Sequence, residues 1–226
     1  MISPLPAAVL WDMDGTLVDT EPYWMAAETP LVERFGGTWT HDDGLGMVGL
    51  GLEDAARILQ GAGVRMEVDE IVAHLTEEVM RQLREEGVPF RPGARELLRD
   101  LRDAGIPTAL VTMSMSRMAR VITDLIDFDA FDVVIGGDDV ARPKPHPDPY
   151  LQACEALGVD PADTVAFEDS ITGTRSAIAA GTATVGIPHM VPLDEVGAHV
   201  LWPTLEGRTV ADVADLLAQV RQGVRA

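Results

Sequence analysis

The chain has a single cysteine in 226 residues, so no intrachain disulfide braces it. Cys154 falls in a helix-like stretch, reads as a small core residue and suits a reducing compartment. No run approaches the ~18 apolar residues of a membrane span. The start of the chain shows no basic-plus-apolar leader, so neither export nor membrane insertion is expected and the cytoplasm is the default location. Basic residues are scarce: 17 Lys and Arg face 37 Asp and Glu, for a formal charge of −20 and a pI near 4.4. That balance disfavours nucleic acid and anionic membrane as partners. Internal repeats and low-complexity segments are also absent. The hydrophobic content, 46%, is enough for a full core, and the length fits one large domain or a core with a smaller insert.

Lysine is the scarcest charge of all. Lys144 is the only one in the chain, and it stands in Arg142-Pro-Lys-Pro-His-Pro-Asp-Pro149, where prolines restrict the backbone on both sides. A compact, reorientable ammonium suits a site that touches both a carboxylate and a phosphoryl oxygen, whereas Arg offers a planar fork; a surface survivor is the plainer alternative.

What the chain does have is concentrated at the ends of apolar runs. Residues 7–21, AAVLWDMDGTLVDTE, deliver Asp12 and Asp14 into a Gly-Thr turn with Asp19 and Glu21 behind it. A short apolar run closed by a Gly turn reads as a buried strand, and ligands of open α/β sheets bind just beyond the carboxyl ends of such strands. An acidic turn alone explains such a pair; a nucleophile beside a proton-transfer group and a hard-metal site explains it as well. A second run, Ile106 to Val111, ends in Thr112-Met113-Ser114, which offers either a helix cap or a hydroxyl and backbone N–H groups for a phosphate. A further run, Thr164 to Phe167, ends in Glu168-Asp169-Ser170, a helix cap by itself but, with Asp12 and Asp14, an oxygen-rich cage suited to Mg²⁺.

The string D-M-D-G-T-L-V-D-T, followed in order by Thr112, Lys144 and Glu168-Asp169, resembles the haloacid dehalogenase-like superfamily, in its beta-phosphoglucomutase-like phosphatase branch with a helical cap. The likeness runs from Asp12 to about Pro188. It implies that Asp12 is the nucleophile and Asp14 the general acid/base. Thr112 and Lys144 would bind phosphate together with Gly15, Met113 and Ser114. Mg²⁺ would rest on Asp12, Asp169 and the backbone carbonyl of Asp14, with Glu168 close by or acting through water. The acid at Asp14 argues against dehalogenation. The expected reaction is Mg²⁺-dependent hydrolysis of a small phosphorylated metabolite of the sugar or polyol phosphate class through an aspartyl-phosphate, by a monomer or weak oligomer. An intramolecular phosphomutase is the alternative, and a catalytically silent binding module a third. A mutase needs basic groups on its cap, and the matching positions here, Trp24, Val48 and Leu52, are apolar, with Arg57 a substitute cation.

Placement of the motifs yields the organisation. About seventy residues of helical pattern separate the first run from the next, and Val72, Leu75, Val79 and Leu83 recur at helical spacing within them. The expected fold is α/β: a Rossmann-like three-layer core with a mainly parallel sheet (1–20 and 90–226) and an inserted α-helical cap (21–89), joined near Leu17 to Glu21 and Gly87 to Gly93. Pro30 should kink or split a helix running from about Pro22 to Phe35. The Gly-rich segment His41 to Gly51 reads either as a cap loop or as a flexible connection. Strands are expected at Ile106–Val111, Asp132–Ile135, Thr164–Phe167 and Ala183–Ile187, then a sheet edge and a last helix around Val213, Leu216, Leu217 and Val220. His41, His74, His189 and His199 lack metal-ligand spacing and read as surface or packing residues; His146 is expected to steady the Lys144 loop, and Arg117 reads as solvating a helix, with a phosphate contact the alternative.

Overall fold

A computed structural model describes residues 3–47 and 50–223. Its centre is a six-stranded sheet in the order β3-β2-β1-β4-β5-β6, every pair parallel. The strands are β1 (Ala8–Trp11), β2 (Thr108–Val111), β3 (Val133–Ile135), β4 (Thr164–Glu168), β5 (Ala183–Gly186) and β6 (Val200–Leu201). The strand order reverses at β1, which makes the crevice between its neighbours the topological switch point where such sheets bind ligands. β1, β2 and β4 are buried along their whole length, as unbroken apolar runs in a two-sided parallel sheet should be.

Alternation along the strands builds the three layers. Val9, Trp11, Leu110, Val165 and Phe167 face α5 (Ala94–Asp103), α6 (Ser116–Leu125) and α9 (Val210–Arg221). Ala8, Leu10, Ala109, Val111 and Ala166 face α7 (Asp148–Leu157) and α8 (Ile171–Ala180), where Tyr150 and Cys154 are buried. The first face carries a ring cluster: Phe167 lies between Trp11 and Trp202, with ring centroids 4.6 and 5.8 Å away. The second is rich in alanine, which lets α7 and α8 approach closely.

The segment between β1 and α5 is helical: α1 (Glu21–Arg34), α2 (His41–Leu45), α3 (Leu52–Gly61) and α4 (Val68–Glu86). Val72, Leu75, Val79 and Leu83 form the buried stripe of α4 together with Ile71 and Met80. Two expectations need correction. Pro30 does not split α1, which runs through it as one helix; the carbonyl left without a partner is that of Ala26, and both residues are exposed, where water is free to satisfy it. The Gly-rich segment begins as a helix, because Thr40 and Asp43 form a reciprocal capping box; Val48 lies outside the described residues. Arg57 does not supply a cavity cation either, since it pairs with Glu53 and Asp54 on the surface.

The chain leaves and re-enters the sheet region along two segments bonded to each other. Asp19 N donates to Pro89 O at 2.8 Å, Arg91 N donates to Leu17 O at 2.9 Å, and Val18 pairs with Phe90 between them. Beyond β5, the edge strand β6 and α9 finish the sheet as expected, with Arg208 stacked 4.4 Å from the Trp202 ring. Among the described residues no helix is long and apolar enough to cross a membrane.

Candidate active site

The carboxyl ends of β1, β2 and β4 lie side by side, so the residues just past them meet although Asp14 and Thr112, for one, are 98 positions apart in sequence. Lys144 is the hub. Its Nζ donates to Asp12 Oδ1 at 2.7 Å, to Glu168 Oε1 at 2.6 Å and to the Val111 carbonyl at 2.9 Å, which uses all three protons. The Tyr150 hydroxyl donates to the same Glu168 oxygen at 2.7 Å. Lys144 is thus a buried structural and electrostatic centre rather than a surface survivor. Glu168 is wholly buried, anchors both Lys144 and Tyr150, and has a carboxylate oxygen within 4.8 Å of those of Asp12 and Asp169.

These three acids share one cation, and the imbalance appears in the proton affinities of Asp12 and Asp169. Burial, reinforced by the Glu168 charge and opposed by Lys144, pushes Asp12 up to about 7. Burial and then the Asp12 and Glu168 charges hold Asp169 well above the usual carboxylate range. Lys144 is driven upward by Asp12 and Glu168 in spite of its own burial, so it stays charged. A buried, oxygen-only, over-negative cluster fits a hard divalent cation such as Mg²⁺, which favours one or two carboxylates plus water and phosphate. Close packing holds the acids in place: a Cβ on Gly15, whose φ is +84°, would come within 2.0 Å of Asp169 Oδ2, and one on Gly173 within 1.9 Å of Glu168 Oε1. Gly173→Ala is therefore expected to cost about 1–3 kcal/mol of stability by overpacking, measurable in urea melts. An unchanged midpoint would mean that Glu168 has room to move.

Asp14 points away from that cluster. Its Oδ2 accepts from Ser114 Oγ at 2.7 Å and from Thr112 Oγ1 at 3.3 Å, while Oδ1 accepts from the Thr20 hydroxyl and, at 3.4 Å, from Trp24 Nε1. Thr112 does not cap the next helix: the residue before α6 is Met115, which makes no side-chain cap. Nor is the first amide of α6 open to an anion, because Ser116 N donates to Asp138 Oδ1 at 2.7 Å. A phosphate would instead meet the Thr112 and Ser114 hydroxyls and the backbone at Met113, residues that line the cavity; Gly15 lines it too, but its amide donates to the Val18 carbonyl at 2.7 Å and is not open to an anion. Met113 also accepts the Lys144 amide on its sulfur at 3.3 Å. After β4 the cap role belongs to Ser170, whose Oγ accepts from Gly173 N at 3.0 Å, leaving Asp169 to the site.

The helical segment supplies the opposite wall of this cavity with Glu21, Trp24, Glu28, Leu52 and Leu75. Glu21 is pushed up to about 7 by burial and by the Glu28, Asp14 and Asp19 charges. Glu28 is raised by burial, although Trp39 Nε1 donates to it at 3.0 Å. No Lys or Arg of that segment lines the cavity among the described residues. Sequence reasoning missed Tyr150, Glu28 and His189 at the site. His189 reads as a surface or packing residue from its sequence context, yet it lines the cavity. Arg117 reaches the Ala73 carbonyl of α4 at 3.3 Å rather than the site, and His146 acts through its backbone carbonyl, which accepts from Ser176 Oγ at 2.5 Å.

Known proteins resemble this chain in sequence and in fold. The chain is 33% identical over 203 residues to a phosphorylated carbohydrates phosphatase of Thermotoga maritima, covering 86% of this chain and 93% of that one. It is 30% identical over 189 residues to hexitol phosphatase B of Escherichia coli K12, covering 80% and 83%. The crystal structure of CbbY from Rhodobacter sphaeroides in complex with phosphate superposes with a TM-score of 0.81 at 29% identity, covering 92% of this chain and 99% of that one. The profile of the haloacid dehalogenase-like hydrolases matches residues 6–181, and the chain, an enzyme of the phosphatase kind, belongs to that family.

Proposed function

We propose that this enzyme is a Mg²⁺-dependent phosphatase that hydrolyses a small sugar or polyol monophosphate through an aspartyl-phosphate on Asp12. The observation that carries the reading is the Lys144 bridge between Asp12 and Glu168 at the floor of a cavity whose side holds Asp14 among hydroxyls. Residues 1–20 and 90–226 act as the catalytic core and residues 21–89 as the cap.

Phosphoryl transfer is mostly positioning and charge neutralisation. Lys144 pins one oxygen of Asp12 and so orients the nucleophile, while Glu168 and Tyr150 hold Lys144. Asp12, Asp169 and the backbone carbonyl of Asp14 would hold the Mg²⁺, which offsets phosphate charge when bound. The Thr112 and Ser114 hydroxyls turn from Asp14 to the phosphate oxygens. Asp14 then protonates the leaving alkoxide as Asp12 attacks phosphorus, and afterwards takes a proton from the water that hydrolyses the aspartyl-phosphate. An overall charge of −20 repels the substrate at long range, but salt screens that beyond about 8–10 Å, and the local charge decides binding.

The cap wall favours hydrolysis over mutase chemistry. A mutase binds a bisphosphate in two orientations and needs cations opposite the core; here Glu21 and Glu28 stand there with Trp24 and Leu52. Carboxylates accept hydroxyl donors and repel a second phosphate. The phosphatase names of the Thermotoga and Escherichia relatives support the same class. The enzyme works in the cytoplasm as a monomer or weak oligomer, without nucleic acid or membrane.

The test is Mg²⁺-dependent phosphate release over a panel of phosphorylated metabolites. Glucose 1-phosphate, with and without a sugar bisphosphate, is included and followed for glucose 6-phosphate. Phosphate release without isomerised product is expected; bisphosphate-stimulated isomerisation would overturn the reading. Lys144→Arg is expected to lower kcat/KM by about 10²–10³-fold, since a planar fork cannot place three donors on the converging oxygens of Asp12, Glu168 and Val111. Wild-type kinetics in that variant would remove Lys144 from the mechanism.

A further inference from the structure

Three side chains from separate stretches of chain meet where the helical segment joins the sheet. His189, in the loop after β5, places Nε2 3.1 Å from Asp19 Oδ1 on the outgoing linker and Nδ1 against Arg91 Nη1 on the return linker. A guanidinium only donates. Nδ1 therefore accepts from Arg91, the ring proton sits on Nε2, and Nε2–H donates to Asp19. Both ring nitrogens are thereby used.

The linkers otherwise hold each other through the two backbone hydrogen bonds that make the Val18–Phe90 pair, a ribbon too short to be stable alone in water. His189 ties both of its strands to the β5 side of the core. The residues next to Asp19 make that tie matter for chemistry: Thr20 donates to Asp14, and Glu21 opens α1 and lines the cavity. Movement of Asp19 shifts a partner of the general acid/base and the start of the cap together.

We propose that His189 is a positioning residue that clamps both cap linkers to the core, setting the cap's orientation over Asp12 and the place of Asp14. The kinetic part of this inference rests on the phosphatase reading; the clamp itself does not.

The experiment compares wild type with His189→Leu, which keeps bulk and removes both hydrogen bonds, and with His189→Gln, whose amide both donates and accepts. Hydrogen exchange of peptides covering residues 17–20 and 87–91 is read first. In the Leu variant the Asp19 and Arg91 amides are expected to exchange about tenfold faster, with recovery in the Gln variant. Kinetics then compare an alkyl phosphoester, whose leaving group must be protonated, with p-nitrophenyl phosphate, whose leaving group need not be. The Leu variant should lose about 10–100-fold in kcat/KM on the alkyl ester and about tenfold less on the nitrophenyl ester, again with recovery in Gln. Unchanged linker exchange overturns the clamp, and equal losses on the two esters overturn the positioning role. If wild type releases phosphate from no ester, the phosphatase reading fails while the exchange result still judges the clamp. If the Leu variant does not fold, Asp19→Ala removes the His189 contact to the outgoing linker, and the residue 17–20 peptide is held to the same exchange criterion.

Discussion

Replacing Asp12 with Asn is expected to reduce turnover by about 10⁴–10⁶-fold, the range seen when a nucleophile is deleted, and at the same time to stabilise the metal-free protein at neutral pH. The two effects have one cause. Asp12 is buried against Glu168, and its carboxyl is pushed up to about 7 by burial first and by that charge second, so at neutral pH its ionised form is costly to the fold. An amide of the same shape still accepts from Lys144, which retains Glu168 as its counterion, but it cannot form the acyl phosphate. The gain should be about 1–2 kcal/mol, a rise in Tm of about 2–8 °C for a chain of this size. Phosphate release, with deamidation checked by mass spectrometry, and thermal melts in EDTA measure both halves. Residual turnover near wild type would remove Asp12 as nucleophile; a fall in Tm would show that its charge is better compensated than the geometry indicates.

The second large effect is on the metal-free protein as pH changes. Asp12 is raised from 3.8 to about 7, Glu21 from 4.5 to about 7, and Asp169 well above its ordinary value, each led by burial. The folded state thus binds more protons than the unfolded chain between about pH 4 and 7, so stability present at the acid end of that window is lost as pH rises through 7. Asp127, held low first by its hydrogen bond from Arg95, acts in the opposite sense and only at more acid pH. Mg²⁺ binds the ionised carboxylates, and its stabilisation should therefore grow across the same window. At a hundred times its Kd it contributes about 2.7 kcal/mol, a Tm increase of about 5–10 °C, and chelation should stop activity. Asp169→Ala should flatten the pH dependence and weaken the Mg²⁺ effect. A metal-free Tm that stays level from about pH 5 to 7.5, or one indifferent to Mg²⁺, would contradict the proposed site.

Both predictions concern residues readable before folding, whereas the partners that shape their behaviour were not. Asp12, Asp14, Thr112, Lys144 and Asp169 announce themselves because each sits at the end of an apolar run or in a proline-rich loop, and those are local patterns. Glu168 reads from sequence as an auxiliary acid; the fold makes it the buried anchor of Lys144 and Tyr150, and nothing local distinguishes it from Asp169. Thr112 reads equally as a cap. Only the observed start of α6 at Ser116, with its first amide bonded to Asp138, assigns the hydroxyl to Asp14 instead.

The alternation of apolar runs and amphipathic stretches determined by itself the parallel α/β core, the helical insert and the edge on which the chemistry lies, because strand burial and helix periodicity are written within ten or so consecutive residues. Pro30 shows the limit of such rules, since its cost depends on whether the orphaned carbonyl of Ala26 faces water. His189 shows the larger one. A histidine in a loop has no signature, and its joining of Asp19 to Arg91 depends on three segments up to 170 positions apart arriving at one point. That meeting is set by the parallel crossover that stacks β5 beside β4 and by the packing of the insert over the sheet, and it was for the tertiary structure alone to decide.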